Sequence, residues 1–226
     1  MKKLAAGGVL AGFLLSGCAS VPFEPVKFTP VEALAPETVR RNFNSRLADP
    51  FEVTESVVFK YHRRTVTAIG YTRADGASGS FASAGFTPLG LKIFEITNTG
   101  GVTEASFSVP LEAEKTMNRE TTTKAMAEDF RRVYFDRIPA GDAGAIKKRD
   151  RIYFRQPAGS GILEFVFGGP DQALVEKNYS ENGRAQWRVR YFSYTEKNGR
   201  IYPDRIFYQN LMGKYELTLR LKEITA

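Results

Sequence analysis

Glu181-Asn182-Gly183, Lys197-Asn198-Gly199 and Tyr215-Glu216-Leu217-Thr218-Leu219-Arg220-Leu221, all within residues 181–221, decide the fold. An Asn-Gly pair accepts the positive φ angles that a two-residue hairpin turn demands, so each one predicts two antiparallel strands joined directly. The last stretch alternates strictly: Tyr215, Leu217, Leu219 and Leu221 share one face, Glu216, Thr218, Arg220 and Lys222 the other. That is a strand with one buried side. Residues 173–179, 185–195, 201–209 and 214–223 therefore read as an antiparallel meander.

Working outward, residues 151–156 and 161–167 add two strands. Before them the period changes. Residues 119–136 favour helix, with Met126, Phe130, Val133 and Tyr134 as the apolar stripe, Pro139 and Gly141 ending it, and residues 140–144 as a loop. Upstream, the period of two returns in Phe51, Val53, Val57, Phe59 and Tyr61, and in residues 65–72, 78–86, 91–98 and 102–109. Residues 37–48 form a first helix with Val39, Phe43 and Leu47 at four-residue spacing. The chain is mainly β, with about eleven strands and two helices. A meander of this length hides its edges by closing or nearly closing, which predicts a half-open antiparallel β-barrel with covering helices. Its inner face is either filled by side chains or hollow enough for a ligand.

The N-terminus carries an address. Lys2 and Lys3 precede an apolar run from Leu4 to Leu15, too short to span a bilayer, and then Leu15-Ser16-Gly17-Cys18. This is a secretory signal with a bacterial lipobox. Residues 1–17 form the signal peptide, cleavage falls between Gly17 and Cys18, and Cys18 becomes the acylated first residue of the mature chain. Two or more acyl chains anchor stably where one does not. Ala19 stands where an aspartate would favour inner-membrane retention, which points to the outer membrane, facing the periplasm. The alternative is an ordinary signal peptide with an incidental cysteine. Residues 18–36 hold Pro22, Pro25, Pro30 and Pro36 and predict an extended tether spanning roughly 50 Å. Residues 37–226 make a single domain.

Composition excludes several functions. Hydrophobic residues are 42% and charged residues 25%, ordinary for a globular chain. The net charge of +7 falls to +5 once Lys2 and Lys3 leave with the signal, and no basic tract is long enough to predict nucleic-acid binding. Cys18 is the only cysteine and His62 the only histidine, so no disulfide, thiol chemistry or His-cluster metal site is expected. His62 reads as a turn histidine, and no nucleophile elbow is present. No catalytic residue, metal or cofactor is therefore assigned. A carboxylate pair assembled by folding stays open; Glu112, Glu114, Glu128 and Asp129 read as a solvated face, and Arg63-Arg64 and Arg131-Arg132 as solvated pairs, with anion binding as the alternative. The 17 Phe and 10 Tyr fall largely on strands, as core or as the lining of an apolar cavity.

Gly85-Phe86-Thr87-Pro88-Leu89-Gly90, followed by Leu91–Ile96, resembles the strand–Pro-Leu-Gly–strand element of the LolB lipoprotein-localisation family. The chain is similar in particular to LolB-like lipoproteins of the DUF3261 type. It shares their Thr-Pro-Leu-Gly turn and their C-terminal order, here Trp187, Tyr202-Pro203-Asp204-Arg205-Ile206, Asn210 and Tyr215–Leu221. The resemblance covers residues 50–223. It implies a half-open barrel wrapped over a helix, with a hydrophobic cavity that takes up acyl chains. Some such proteins are associated with fatty-acid or aryl-polyene pathways, and LolB inserts an exposed loop leucine into the membrane. The candidate ligand-binding residues are Phe86, Leu89, Leu91, Phe130 and Tyr134, with the mouth near Pro88-Leu89-Gly90 and the helix at 119–136. The expected function is non-catalytic binding or transfer of a lipid-like ligand or lipoprotein acyl chain. The rivals are an interaction lipoprotein with a solidly packed barrel, and a hydrolase built from carboxylates.

Overall fold

The computed structural model describes residues 21–31, 33–108 and 119–225. The expected signal, the cleavage site at Gly17 and Cys18, and the carboxylates Glu112 and Glu114 lie outside the described residues. Among the described residues, twelve strands form one antiparallel sheet. The first half comprises β1 (Phe51–Tyr61), β2 (Arg64–Asp75), β3 (Ser80–Phe86), β4 (Lys92–Thr99) and β5 (Val102–Phe107). The second comprises β6 (Gly144–Lys147), β7 (Arg151–Ala158), β8 (Gly161–Gly168), β9 (Ala173–Glu181), β10 (Arg184–Lys197), β11 (Arg200–Asn210) and β12 (Tyr215–Thr225). The two meanders join where β1 pairs with β12, leaving β5 and β6 as the edges. The two helices among the described residues are α1 (Pro36–Arg46) and α2 (Arg119–Tyr134).

The mainly β half-barrel and both helices agree with the sequence reading. β6 does not: it is a four-residue edge strand, exposed along its length, in a stretch read as loop and connection. Nothing in Gly144–Lys147 alternates. Its pairing comes from β7, through partners such as Ile146 and Tyr153. Asn182, Gly183, Asn198 and Gly199 all take positive φ, as the Asn-Gly turns require. On the last strand, Leu219 is buried and Arg220 exposed, and Leu219 stands between Val57 and Ile206. A bulge opposite Thr54 and Glu55 then shifts the phase, so that Ile224 pairs with Val53 and is buried.

The core lies on the concave face, beneath α2. Phe51 and Val53 (β1), Phe81 (β3), Ile96 (β4), Phe154 (β7), Tyr191 (β10) and Tyr208 (β11) belong to one buried cluster with Val133 and Tyr134. α1 plugs one end, with the Phe43 ring edge-on to Phe167 and Tyr194. Leu47 forms an isolated bridge to Ile201, closing that end.

Residues 21–31, expected as part of a free tether, are a strap packed on the barrel. The apolar residues between the prolines are the cause. Phe23 is buried against Phe192 and Phe207 on the outer face, forming a second small core with Val21 and Val26. Phe28 lies under the Arg151 guanidinium, and Val31 is buried and donates its N–H to the Arg149 carbonyl.

Candidate functional site

α2 is held on the concave face by more than apolar contact. Phe130 stacks on Phe81 with centroids 4.1 Å apart, and Tyr134 packs against Phe51 and Phe130. Around this patch, polar groups fasten the helix to strands on both sides. The Tyr134 hydroxyl donates to Glu55 on β1, and Thr72 on β2 donates to the same carboxylate while sharing a hydrogen bond with Ser83 on β3. Gly70 lies directly beneath the Glu55 side chain, where a Cβ would come within 2.9 Å of it. Glu55 is only 3% exposed, and burial pushes its pKa up to about 7 against the pull of the two hydroxyls.

The helix C-terminus is capped from β9. Lys177, fully buried, donates to the Phe135 carbonyl at 2.7 Å and to the Asp136 carbonyl at 3.4 Å. An ammonium here satisfies orphan carbonyls and meets the negative end of the helix dipole. Burial nonetheless lowers its pKa to about 7, with Asp136 opposing the shift. Asp136 takes positive φ, which ends the helix. Tyr191 donates to the Val133 carbonyl, and Arg131 donates to Asn98 on β4.

A second cluster forms on the next turn. Asp129 accepts from Tyr208 on β11, Tyr215 on β12 and Arg132, whose guanidinium lies over the Trp187 ring. Burial raises the Asp129 pKa from its ordinary value, and the hydroxyls and Arg132 oppose the shift. Asp129 and the Arg131-Arg132 pair thus leave the solvated face expected for them and tie the helix to the sheet. The two inward carboxylates are engaged separately, Glu55 with Tyr134 and Asp129 with Tyr208 and Tyr215.

The five candidate ligand residues separate into three groups. Phe130 and Tyr134 are inside, under α2. Leu89 and Leu91 occupy the exposed β3–β4 loop, 89% and 65% exposed, where Leu91 donates its N–H to the Thr87 hydroxyl and accepts from the Thr87 N–H. Phe86 points to the convex face, its ring edge-on to Tyr71. A bulge between Gly85 and Phe86 accompanies this placement. The expected mouth is also displaced. The 87–91 loop lies at one end of β3, whereas Arg131 of α2 reaches the Gly79 carbonyl at the other.

Under the C-terminal half of α2 the expected cavity is occupied by aromatic side chains, Phe130 packing on Phe81, Tyr134 and Phe135. The void beside Phe51, Tyr134, Ile206 and Ile224 holds about 10 Å³, the space of a single water at most. Toward the other end of the barrel the concave face is less covered. Val57, Phe59, Phe94 and Leu217 are half-buried there, and Val66 is exposed. Phe59 stands between Leu217 and Val66 in the strand register. Together they make the concave face apolar as it approaches the barrel rim. The alternation of Phe59 and Val57 was readable; their incomplete cover was not.

No family model matches the chain, and no curated protein does at a significant level. Solved structures do. A LolA-superfamily protein from Nitrosomonas europaea superposes with a TM-score of 0.55 at 11% identity, over 85% of this chain and 93% of that one. A domain from Vibrio parahaemolyticus, described as an outer-membrane lipoprotein-sorting protein, gives 0.50 at 7% identity, over 83% of this chain and 90% of that one. At these identities the likeness is one of architecture: the chain has the half-open barrel and helices of the LolA-superfamily fold.

Proposed function

We propose that the protein is a LolB-like lipoprotein of the DUF3261 type, anchored through acylated Cys18 in the outer membrane and facing the periplasm. There it binds or passes on an acyl chain without catalysis, the ligand being a lipid or the acyl group of a lipoprotein. The observation that carries this reading is the apolar strip of Val57, Phe59, Val66, Phe94 and Leu217, half-covered on the concave face and open toward the rim. An acyl chain laid there gains roughly 0.8 kcal/mol per buried methylene. Micromolar affinity is about 8 kcal/mol, so after association costs of at least about 4 kcal/mol it takes about fifteen buried methylenes, the length of a whole acyl chain. Leu89, at the tip of its loop, supplies the exposed leucine that the LolB resemblance implies for membrane insertion.

The filled space under α2 favours a second reading, an interaction lipoprotein whose barrel is solid. A titration with a fluorescent fatty acid separates them. Saturable binding that Phe59→Asp weakens about tenfold or more supports the acyl ligand. Absence of saturable binding to the wild-type chain leaves the interaction reading.

A further inference from the structure

The large exposed apolar side chains gather at one end of the barrel. The antiparallel register places the β1–β2, β3–β4, β7–β8, β9–β10 and β11–β12 turns together at this end. Of the ten large exposed apolar residues among the described ones, seven sit here: Tyr61 and Val66, Leu89 and Leu91, Ile162, and Leu211 and Met212. Met212 is 69% exposed at the tip of its hairpin. A patch of this kind marks an interaction surface.

Charge identifies the partner. The same turns and the strand ends beside them carry Lys60, Arg63, Arg64, Lys92, Arg184 and Lys214; Glu95 pairs with Lys92, Glu216 stands opposite Lys60 and Glu181 opposite Arg184, while Arg63 and Lys214 sit at the hairpin tips. Turns at the opposite end instead interleave Asp49, Asp75, Asp150 and Asp171 with their cations. Exposed apolar side chains ringed by cations match a bilayer surface with anionic headgroups.

The strap sets the orientation. From Val31, bonded to Arg149 at the far end, the chain climbs backward to Phe23, which lies beneath Arg205 and Arg220 halfway up the outer face. Cys18 is five residues earlier in sequence, a span of at most roughly 18 Å. Phe207, beside Phe23, is about 10 Å along β11 from the rim at Asn210. That span is long enough to reach from Phe23 to the rim.

We propose that this rim, with the β1–β2 and β11–β12 hairpins flanking the Leu89 loop, is a docking face for an anionic lipid surface, and that the strap turns it toward the membrane holding Cys18. The orientation rests on the acylation of Cys18; the docking face does not.

Vesicle flotation tests it with a chain from Ala19 to Ala226, which keeps every described residue and lacks the anchor. Phosphatidylglycerol-containing vesicles should carry the chain; neutral phosphatidylcholine vesicles should carry less. Each cation near such a surface contributes about 1 kcal/mol, or about fivefold. Arg63→Gln with Lys214→Gln should therefore weaken binding about 25-fold. Leu211→Ser with Met212→Ser should weaken it on both vesicle types, while Val102→Ser at the opposite end should not. Flotation that is absent, or equal among all variants, overturns the proposal. Fatty-acid titration of the same proteins keeps the two ideas apart. Uptake retained by variants that no longer float supports the rim alone, and flotation without uptake in the wild type refutes the acyl-ligand function while leaving the rim standing.

Discussion

Replacing Glu55 by Gln should change how stability depends on pH, with a sign that the structure dictates. Glu55 is wholly buried between Thr72 and Tyr134, and burial raises its pKa from 4.5 to about 7. The folded protein thus holds this proton more tightly than the unfolded chain does. Below pH 4.5 the group is protonated in both states and its cost is absent. Stability then falls as pH rises from 4.5 to 7, and above 7 the loss is complete. A shift of this size corresponds to about 3 kcal/mol, a large share of the 5–15 kcal/mol typical of a domain. Glu55→Gln keeps the shape and stays neutral, so it should match the wild type near pH 4.5 and exceed it by about 3 kcal/mol at pH 8. Lys177 acts in the opposite sense and in another window. Its pKa is lowered to about 7, so its cost is full below pH 7 and is relieved as pH rises toward 10.5. Taking wild type minus variant at each pH cancels it. Urea unfolding midpoints at pH 4.5, 6 and 8 supply the measurement. A difference between the two proteins that stays constant within about 1 kcal/mol across this range would refute the reasoning.

Two further outcomes are expected. Leu219→Ala removes a buried side chain between Val57 and Ile206 and should cost about 2–5 kcal/mol, whereas Arg220→Ala, on the outer face beside Phe23, should cost under roughly 1 kcal/mol; denaturant midpoints in the reverse order would overturn the strand phase. Cys18→Ser should leave uncleaved precursor that takes up no radioactive palmitate, and normal processing and labelling of that variant would sink the lipoprotein reading.

The legible part of the fold was the part written in period and punctuation. Asn182-Gly183 and Asn198-Gly199 are local signals, and the turns they predict are the turns observed. β6 escaped because Gly144–Lys147 owes its conformation to pairing with β7 and carries no pattern of its own. The strap escaped for a related reason. Four prolines in residues 19–36 exclude regular structure, but they do not stop Phe23, Phe28 and Val31 from finding apolar partners more than a hundred residues away.

The site was legible only where it broke a pattern. In β1 the inward phase runs Phe51, Val53, Glu55, Val57, Phe59, and a lone carboxylate among apolar partners is the trace of the buried polar cluster that fastens α2. Lys177 leaves the same trace in β9, in phase with Val189 and two residues from Tyr179, which pairs with Trp187. Asp129 left none. On a helix, one residue beside an apolar stripe faces either solvent or a neighbouring strand, and only the curvature of the sheet brings Tyr208 and Tyr215 to it. Phe86 shows the converse. Alternation along β3 turns Phe81, Ser83 and Gly85 inward, so the same period puts Phe86 on the convex face, where its ring packs on Tyr71. A half-barrel that fills its own centre with a helix would confine the proposed acyl ligand to the strip beside the rim. That places the apolar strip, the Leu89 loop and the cationic hairpins at one end of the molecule. An acyl chain leaving a membrane docked at that end would meet Tyr61 and Val66 first, then Phe59 and Leu217, with no exposed carboxylate in its path among these residues.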